Sequence, residues 1–265
     1  MRAAFRVLLN IYDHLVLYLG LIWLGVLCLT WTPIALIFSP LLPIRWGRPL
    51  GRYVIMMGFR FYLGSISASG RCSFDLKALD CLRDEPSLII APNHPSLLDA
   101  VMVISRLPNV ACVLKANLMN NLFLGAGARL AQYIRNEPVR RMVQQATRGF
   151  ACGNHLLLFP EGTRTNSCPI NPLKGSIGLI ALHAQVPIQT ILIETDSTYL
   201  SKGWPLFRKP PMPIHYRIRL GQRFDPPKHT QSFMAELENY YAQELVQGSA
   251  FYPPNGLPEQ TTHSL

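Results

Sequence analysis

From His14 to Ile44 the chain carries no Asp, Glu, Lys or Arg, an apolar run of 31 residues dominated by Leu, Ile, Val and Trp. No other feature limits the fold so strongly, because about 20 such residues already suffice to cross a hydrocarbon core. A cleaved signal peptide is the competing reading, with Arg2 and Arg6 as its basic start. The apolar stretch is about twice the length of an ordinary signal core, and no clear small-x-small cleavage site follows it. As one straight helix it would measure about 46 Å against a core of roughly 30 Å, and its prolines argue for a break. These are Pro33, Pro40 and Pro43. Either Leu15–Thr32 spans once, or the chain dips in and returns. Arg2 and Arg6 precede the run, and Arg45, Arg48, Arg52 and Arg60 follow it. Cations on both sides leave the orientation open under the positive-inside rule, and the re-entrant path keeps both ends cytoplasmic. Trp31 and Trp46 suit either the headgroup level or an ordinary buried position. Residues 45–66 interleave arginines with Tyr53, Ile55, Met56, Phe59 and Tyr62, as an interfacial helix would. Residues 1–66 are therefore expected to anchor the chain, and the cytoplasmic membrane, with the working site facing the cytoplasm, is the expected location.

The rest of the 265 residues has the means to fold. Hydrophobic residues make up 49%, charged residues only 15%, and mean hydropathy is +0.18, which excludes a wholly disordered chain. A net charge of +10 and a pI near 9.6 predict attraction to polyanions: nucleic acid, anionic lipid or phosphorylated substrates. Six scattered cysteines, Cys28, Cys72, Cys81, Cys112, Cys152 and Cys168, form no CxxC pair, so they are read as mostly reduced core thiols, with no metal site. After a polar stretch, Asp75–Pro86, short apolar runs alternate with helical patterns. Leu88–Ala91, Val110–Leu114, His155–Phe159 and Ile188–Ile193 read as strands, and Ile214, Tyr216, Ile218 and Leu220 as the buried side of another. Pro138 opens a helix through Phe150, Gly175–Ala184 makes a second, and the stripe Phe233, Leu237, Tyr240, Tyr241, Leu245 a last. This predicts an α/β domain over residues 67–246, a mixed β-sheet with flanking helices, preceded by N-terminal membrane helices; 247–265 reads as a loose tail.

Two strand ends carry chemistry. Asn93-His94-Pro95-Ser96-Leu97-Leu98-Asp99 follows the first strand. Pro95 favours a helix start, which leaves the imidazole at the sheet mouth and Asp99 about one turn on. A carboxylate holding Nδ1–H fixes Nε2 as a general base for a hydroxyl proton. A helix cap beside a solvated carboxylate is the plainer alternative. Phe159-Pro160-Glu161-Gly162-Thr163-Arg164 follows another strand. There Gly162 lets backbone N–H groups face an anion, Arg164 can grip phosphate oxygens in a fork, and Glu161 can orient Arg164 or bind an acceptor hydroxyl. A surface turn with an ion pair is the alternative here.

Together NHPSLLD and FPEGTR resemble the NHxxxxD and FPEGTR blocks of the glycerolipid acyltransferase family, best known from 1-acyl-sn-glycerol-3-phosphate acyltransferases. Lys115 with Gly125 and Arg135 resembles the family's second block, and Val186-Pro187-Ile188 its fourth. The resemblance implies transfer of a fatty acyl group from acyl-CoA or acyl carrier protein, with no further cofactor, to the hydroxyl of a lysophospholipid acceptor, with membrane lipids as partners. Lysophosphatidic acid going to phosphatidic acid is the simplest case. His94 and Asp99 would be the catalytic pair. Glu161, Gly162, Thr163, Arg164 and Lys115 would bind the acceptor, with Lys174 and Arg135 as secondary candidates and Asn93 a candidate donor to the tetrahedral intermediate. The second block departs from the pattern: Leu130-Ala131-Gln132-Tyr133-Ile134-Arg135 lacks the usual Gly, which keeps another acceptor, such as a lyso-ornithine lipid, as an alternative. A basic, non-catalytic lipid- or nucleic-acid-binding protein is the remaining alternative, but the cations are dispersed and no aromatic-basic nucleic-acid motif is present. His155, His183 and His215 lack ligand spacing and read as core or surface histidines. Neither G-x-S-x-G nor a P-loop occurs.

Overall fold

The computed structural model describes residues 2–247 except Phe123, Glu137 and Cys168. The expected tail at 247–265 lies, beyond its first residue, outside the described residues. Strands β1 (Cys72–Asp75), β2 (Ile89–Pro92), β3 (Val110–Leu114), β4 (Ile134–Arg135), β5 (His155–Leu157), β6 (Ile188–Thr195) and β7 (Ile214–Phe224) form one sheet in the order β1-β7-β6-β2-β5-β3-β4. From β6 to β4 every neighbouring pair is parallel, and β7 runs antiparallel to β6. The mixed sheet expected from the alternating pattern is the one observed.

Alternation along the buried strands divides the core. Ile90, Cys112, Leu157 and Ile193 face one side with α3 (Asp99–Ile104), and Ile89, Ala111, Leu156 and Leu192 face the other. That second side is covered by α6 (Val139–Phe150), α7 (Ser176–Ala184) and α8 (Thr230–Gln247). Helices of period 3.6 thus cover strands of period 2 on both faces, the ordinary solution for a buried parallel sheet. β1 and β4 were not apparent in the sequence, and the stretch read as polar, Asp75–Pro86, holds a 3₁₀ turn that buries Leu79 and Leu82.

The apolar run forms α1 (Arg2–Leu41), and α2 (Ile44–Ala68) turns back along it. Trp23 Nε1 donates to Ser65 Oγ (3.1 Å) and Tyr12 Oη to the Ser69 carbonyl (2.8 Å), which makes the two helices an antiparallel hairpin. The break expected at the prolines is corrected: the helix runs through Pro33 and Pro40 and turns only at Leu42–Pro43. Packing on both sides of Pro33 accompanies this continuation. Thr32 Oγ1 donates to the Leu122 carbonyl (3.1 Å), and Trp31 and Ala35 pack on α5 (Gly125–Leu130). Trp31 is therefore a protein contact, whereas Trp46 is 63% exposed. α2 approaches so closely at Gly51 that a Cβ there would stand 2.9 Å from the Ala131 nitrogen. Next to it the buried Arg52 guanidinium donates to the Ala131 carbonyl (3.0 Å) and to Asn109 Oδ1 (3.1 Å). Residues 4–41 form one helix long and apolar enough to cross a membrane, consistent with a membrane-associated protein, and its outer face leaves Leu8, Leu15, Leu19, Ile22 and Ile37 exposed.

The cysteine reading needs correction. Among the described cysteines only Cys72 and Cys112 are buried; Cys28 is half-buried, and Cys81 and Cys152 are exposed.

Candidate active site

Because β2, β5, β3 and β4 are parallel and adjacent, the segments leaving their C-terminal ends share one edge of the sheet. His94 follows β2, the 159–164 segment follows β5, Lys115 follows β3 and Arg135 ends β4. Such an edge is where open α/β sheets hold ligands.

Asp99 opens α3, and its Oδ2 lies 2.8 Å from His94 Nδ1. The same oxygen accepts the Ser96 N–H at 2.8 Å. The Asp99 side chain is fully buried, while 15% of the His94 side chain is exposed. The pair therefore presents an imidazole edge outward from a fixed carboxylate, with Nδ1 engaged and Nε2 left for chemistry. Burial pushes the Asp99 carboxyl above its ordinary range, opposed by the His94 ring, the Ser96 N–H and the Arg164 charge. Phe159 stacks on the imidazole with ring centroids 3.9 Å apart, which fixes the ring plane.

Glu161 joins the two motifs. Its Oε1 accepts the His94 N–H (3.0 Å) and the Thr165 hydroxyl (2.7 Å), and its Oε2 accepts the Asn171 N–H (3.0 Å). The Thr165 N–H in turn donates to the His94 carbonyl at 2.7 Å. A carboxylate only 1% exposed and saturated in this way positions the loop; it neither pairs with Arg164 nor faces an acceptor. Burial raises its carboxyl above 4.5, against the hydrogen bonds from Thr165, Asn171 and His94. Folding therefore gains from this group at low pH, fully below 4.5, and loses that contribution as pH rises through the folded value. In Glu161→Gln one of these backbone N–H groups must face the amide NH₂ in either orientation, a cost of about 1–3 kcal/mol at neutral pH. Urea unfolding in detergent micelles should show that loss, together with a flatter stability profile just above pH 4.5 than in the parent protein.

Arg164 is half-buried, and its Nη1 donates to the carbonyls of Leu200 (2.8 Å) and Ser201 (2.9 Å), while Asn171 Nδ2 donates to the Arg164 carbonyl (3.1 Å). One corner of the guanidinium is thus clamped, and the planar fork is pre-oriented to use its other N–H groups on an anion. Gly162 has φ +68°, a conformation other residues adopt at a cost, and a Cβ there would meet Lys174 Cγ at 3.2 Å. The exposed Lys174 accordingly lies across the FPEGTR turn. Thr163 is half-buried in that turn, and Lys115 and Arg135 are exposed at the ends of the next two strands. Asn93 is spent elsewhere: its Nδ2 donates to the Ile193 carbonyl (3.0 Å) and its Oδ1 accepts the Ile193 N–H (2.7 Å), tying β2 to β6. These two bonds make Asn93 a strand clamp.

Sequence reasoning missed Ser96, Phe159, Thr165, Asn171 and the Leu200–Ser201 carbonyls. Thr165 lies directly beyond the second motif and Asn171 ten residues past Glu161, but the carbonyls are some 36 residues from Arg164 and give no local signal. Of the three histidines set aside, His155 is buried and its Nδ1 accepts the Leu88 N–H (3.2 Å), and His183 is bonded to its own helix at the Leu179 carbonyl. His215 makes an exposed pair with Asp196 at 2.6 Å.

The model of the acyltransferase family matches residues 74–194. A 1-acyl-sn-glycerol-3-phosphate acyltransferase from Pseudomonas aeruginosa is 23% identical over 180 residues, 66% of this chain and 68% of that protein. The crystal structure of the 1-acyl-sn-glycerophosphate (LPA) acyltransferase from Thermotoga maritima superposes with a TM-score of 0.63 at 17% identity, covering 96% of this chain and all of that one. At that identity the superposition speaks to the fold, hairpin included.

Proposed function

Because the chain belongs to the acyltransferase family, as an O-acyltransferase of the 1-acylglycerol-3-phosphate-acyltransferase-like kind, we propose that it transfers a fatty acyl group from acyl-CoA or acyl carrier protein to the free hydroxyl of lysophosphatidic acid, giving phosphatidic acid. The observation that carries this reading is the 2.8 Å contact between His94 Nδ1 and the buried Asp99, set on the same sheet edge as Arg164. His94 Nε2 takes the acceptor hydroxyl proton as the oxygen bonds to the thioester carbonyl carbon. The tetrahedral intermediate collapses by breaking the carbon–sulfur bond, and the proton leaves with the thiolate from the imidazolium. Asp99 stabilises that imidazolium and does not itself take the proton. Arg164 grips the acceptor phosphate, with Lys115, Lys174 and the Gly162–Thr163 turn adding to the cationic edge, so the hydroxyl is presented to the base rather than found by diffusion.

The acceptor is tested by thiol release and lipid mass spectrometry with purified protein, an acyl thioester and a panel of lysophosphatidic acid, lysophosphatidylcholine and lyso-ornithine lipid. Lysophosphatidic acid should give the highest kcat/KM. A higher value for lyso-ornithine lipid would move the assignment to the alternative raised by the altered second block.

A further inference from the structure

Between β6 and β7 lies a loop, residues 198–213, that the chemistry above does not use beyond its first carbonyls. It is pinned to the catalytic motifs at one end: Ser96 Oγ donates to the Tyr199 carbonyl (3.0 Å), the Leu97 N–H to the Leu200 carbonyl (3.0 Å), and Arg164 to Leu200 and Ser201. Its far end is seated on α1. Lys209 Nζ lies 3.5 Å from the buried Asp13 carboxylate, and Tyr18 Oη donates to the Phe207 carbonyl at 3.4 Å. Between these two attachments the loop turns its apolar side chains out, with Leu206 44% and Phe207 66% exposed. No Asp or Glu occurs from Ser197 to Phe224, a stretch that holds six Lys and Arg residues. Lys202 and Arg208, both exposed, flank the apolar tip, and Arg208 lies 5.0 Å above the Trp204 ring.

We propose that this loop is a second membrane contact, which inserts Leu206 and Phe207 into a leaflet carrying anionic phospholipid while Lys202 and Arg208 meet the headgroups. An apolar tip flanked by cations, in a stretch that itself contains no Asp or Glu, is complementary to such a surface. The tip is also continuous, through Tyr18, with the exposed apolar face of α1. Because the loop's root is hydrogen-bonded to Ser96, Leu97 and Arg164, its insertion sets the catalytic edge at a fixed height over the bilayer from which a lysolipid would come. The contact rests on the membrane association of α1 and not on acyl transfer.

A photo-crosslinking benzophenone amino acid placed at Phe207 of the full chain, reconstituted in phosphatidylcholine vesicles with and without phosphatidylglycerol, tests this directly. Leu19 on the outer face of α1 serves as the membrane reference, and the exposed Lys228, beyond the opposite sheet edge, as the aqueous one. Lipid adducts at position 207 should exceed those at 228 by about tenfold and rise when phosphatidylglycerol is present. Adducts at 19 but not at 207 would overturn the proposal while leaving the hairpin's membrane association standing; adducts at neither would overturn both. Capture of added acyl carrier protein at 207 in place of lipid would assign the loop to an acidic protein partner and overturn it as well.

Discussion

His94→Ala is expected to lower kcat by about 10²- to 10⁴-fold with little change in acceptor KM, because it removes the group proposed to take the hydroxyl proton while leaving the cationic edge intact. The background reaction that remains depends on hydroxyl ionisation in solution, so its rate should climb with pH where the parent enzyme levels off. Asp99→Ala belongs to the same unit. It leaves Nδ1 without its 2.8 Å partner and the imidazolium without a counter-charge, and the two substitutions together should cost hardly more than His94→Ala alone. Circular dichroism separates this from misfolding, since Asp99 also accepts the Ser96 N–H and its removal is expected to loosen the start of α3.

Arg164→Ala is expected to act on binding, the role proposed for this guanidinium. Loss of a charge-assisted contact to phosphate costs roughly 2–3 kcal/mol, about a hundredfold in kcat/KM, and most of it should appear as a raised KM for the phosphorylated acceptor. A structural role alone, through the Leu200 and Ser201 carbonyls, would impair all acceptors alike. The discriminating measurement compares lysophosphatidic acid with monoacylglycerol, which has no phosphate: the Ala variant should lose the preference between them. Arg164→Lys recovers little, since one ammonium does not hold two carbonyls and a phosphate in a single plane.

The elements legible in the sequence are those whose pattern is long and local. Val110–Leu114 and Ile188–Ile193 announce themselves as apolar runs, and the alternation from Ile214 to Leu220 shows which side of β7 is buried. β1 escapes because Cys72–Asp75 is four mixed residues at a sheet edge, and β4 because two residues set no period. Pro33 misleads for a related reason: helix propensity is local, whereas the contacts of Thr32 with Leu122 and of Trp31 and Ala35 with α5 span some 90 residues. In the site, motif spacing was enough to place His94 beside Asp99. The roles of Glu161 and Asn93 were not legible, because a carboxylate or amide in a motif reads the same whether it faces substrate or is buried against backbone N–H groups. Burial decides between these, and burial is a property of the assembled edge.

In the proposed reaction an acyl group leaves sulfur and arrives on a lipid hydroxyl. Simultaneous counting of free thiol and new ester, by a colorimetric thiol assay and lipid mass spectrometry on one reaction of the wild-type chain with lysophosphatidic acid, tests it most directly. One ester formed for each thiol released is the expected result; thiol released with free fatty acid and no new ester would contradict the account and make the chain a thioester hydrolase.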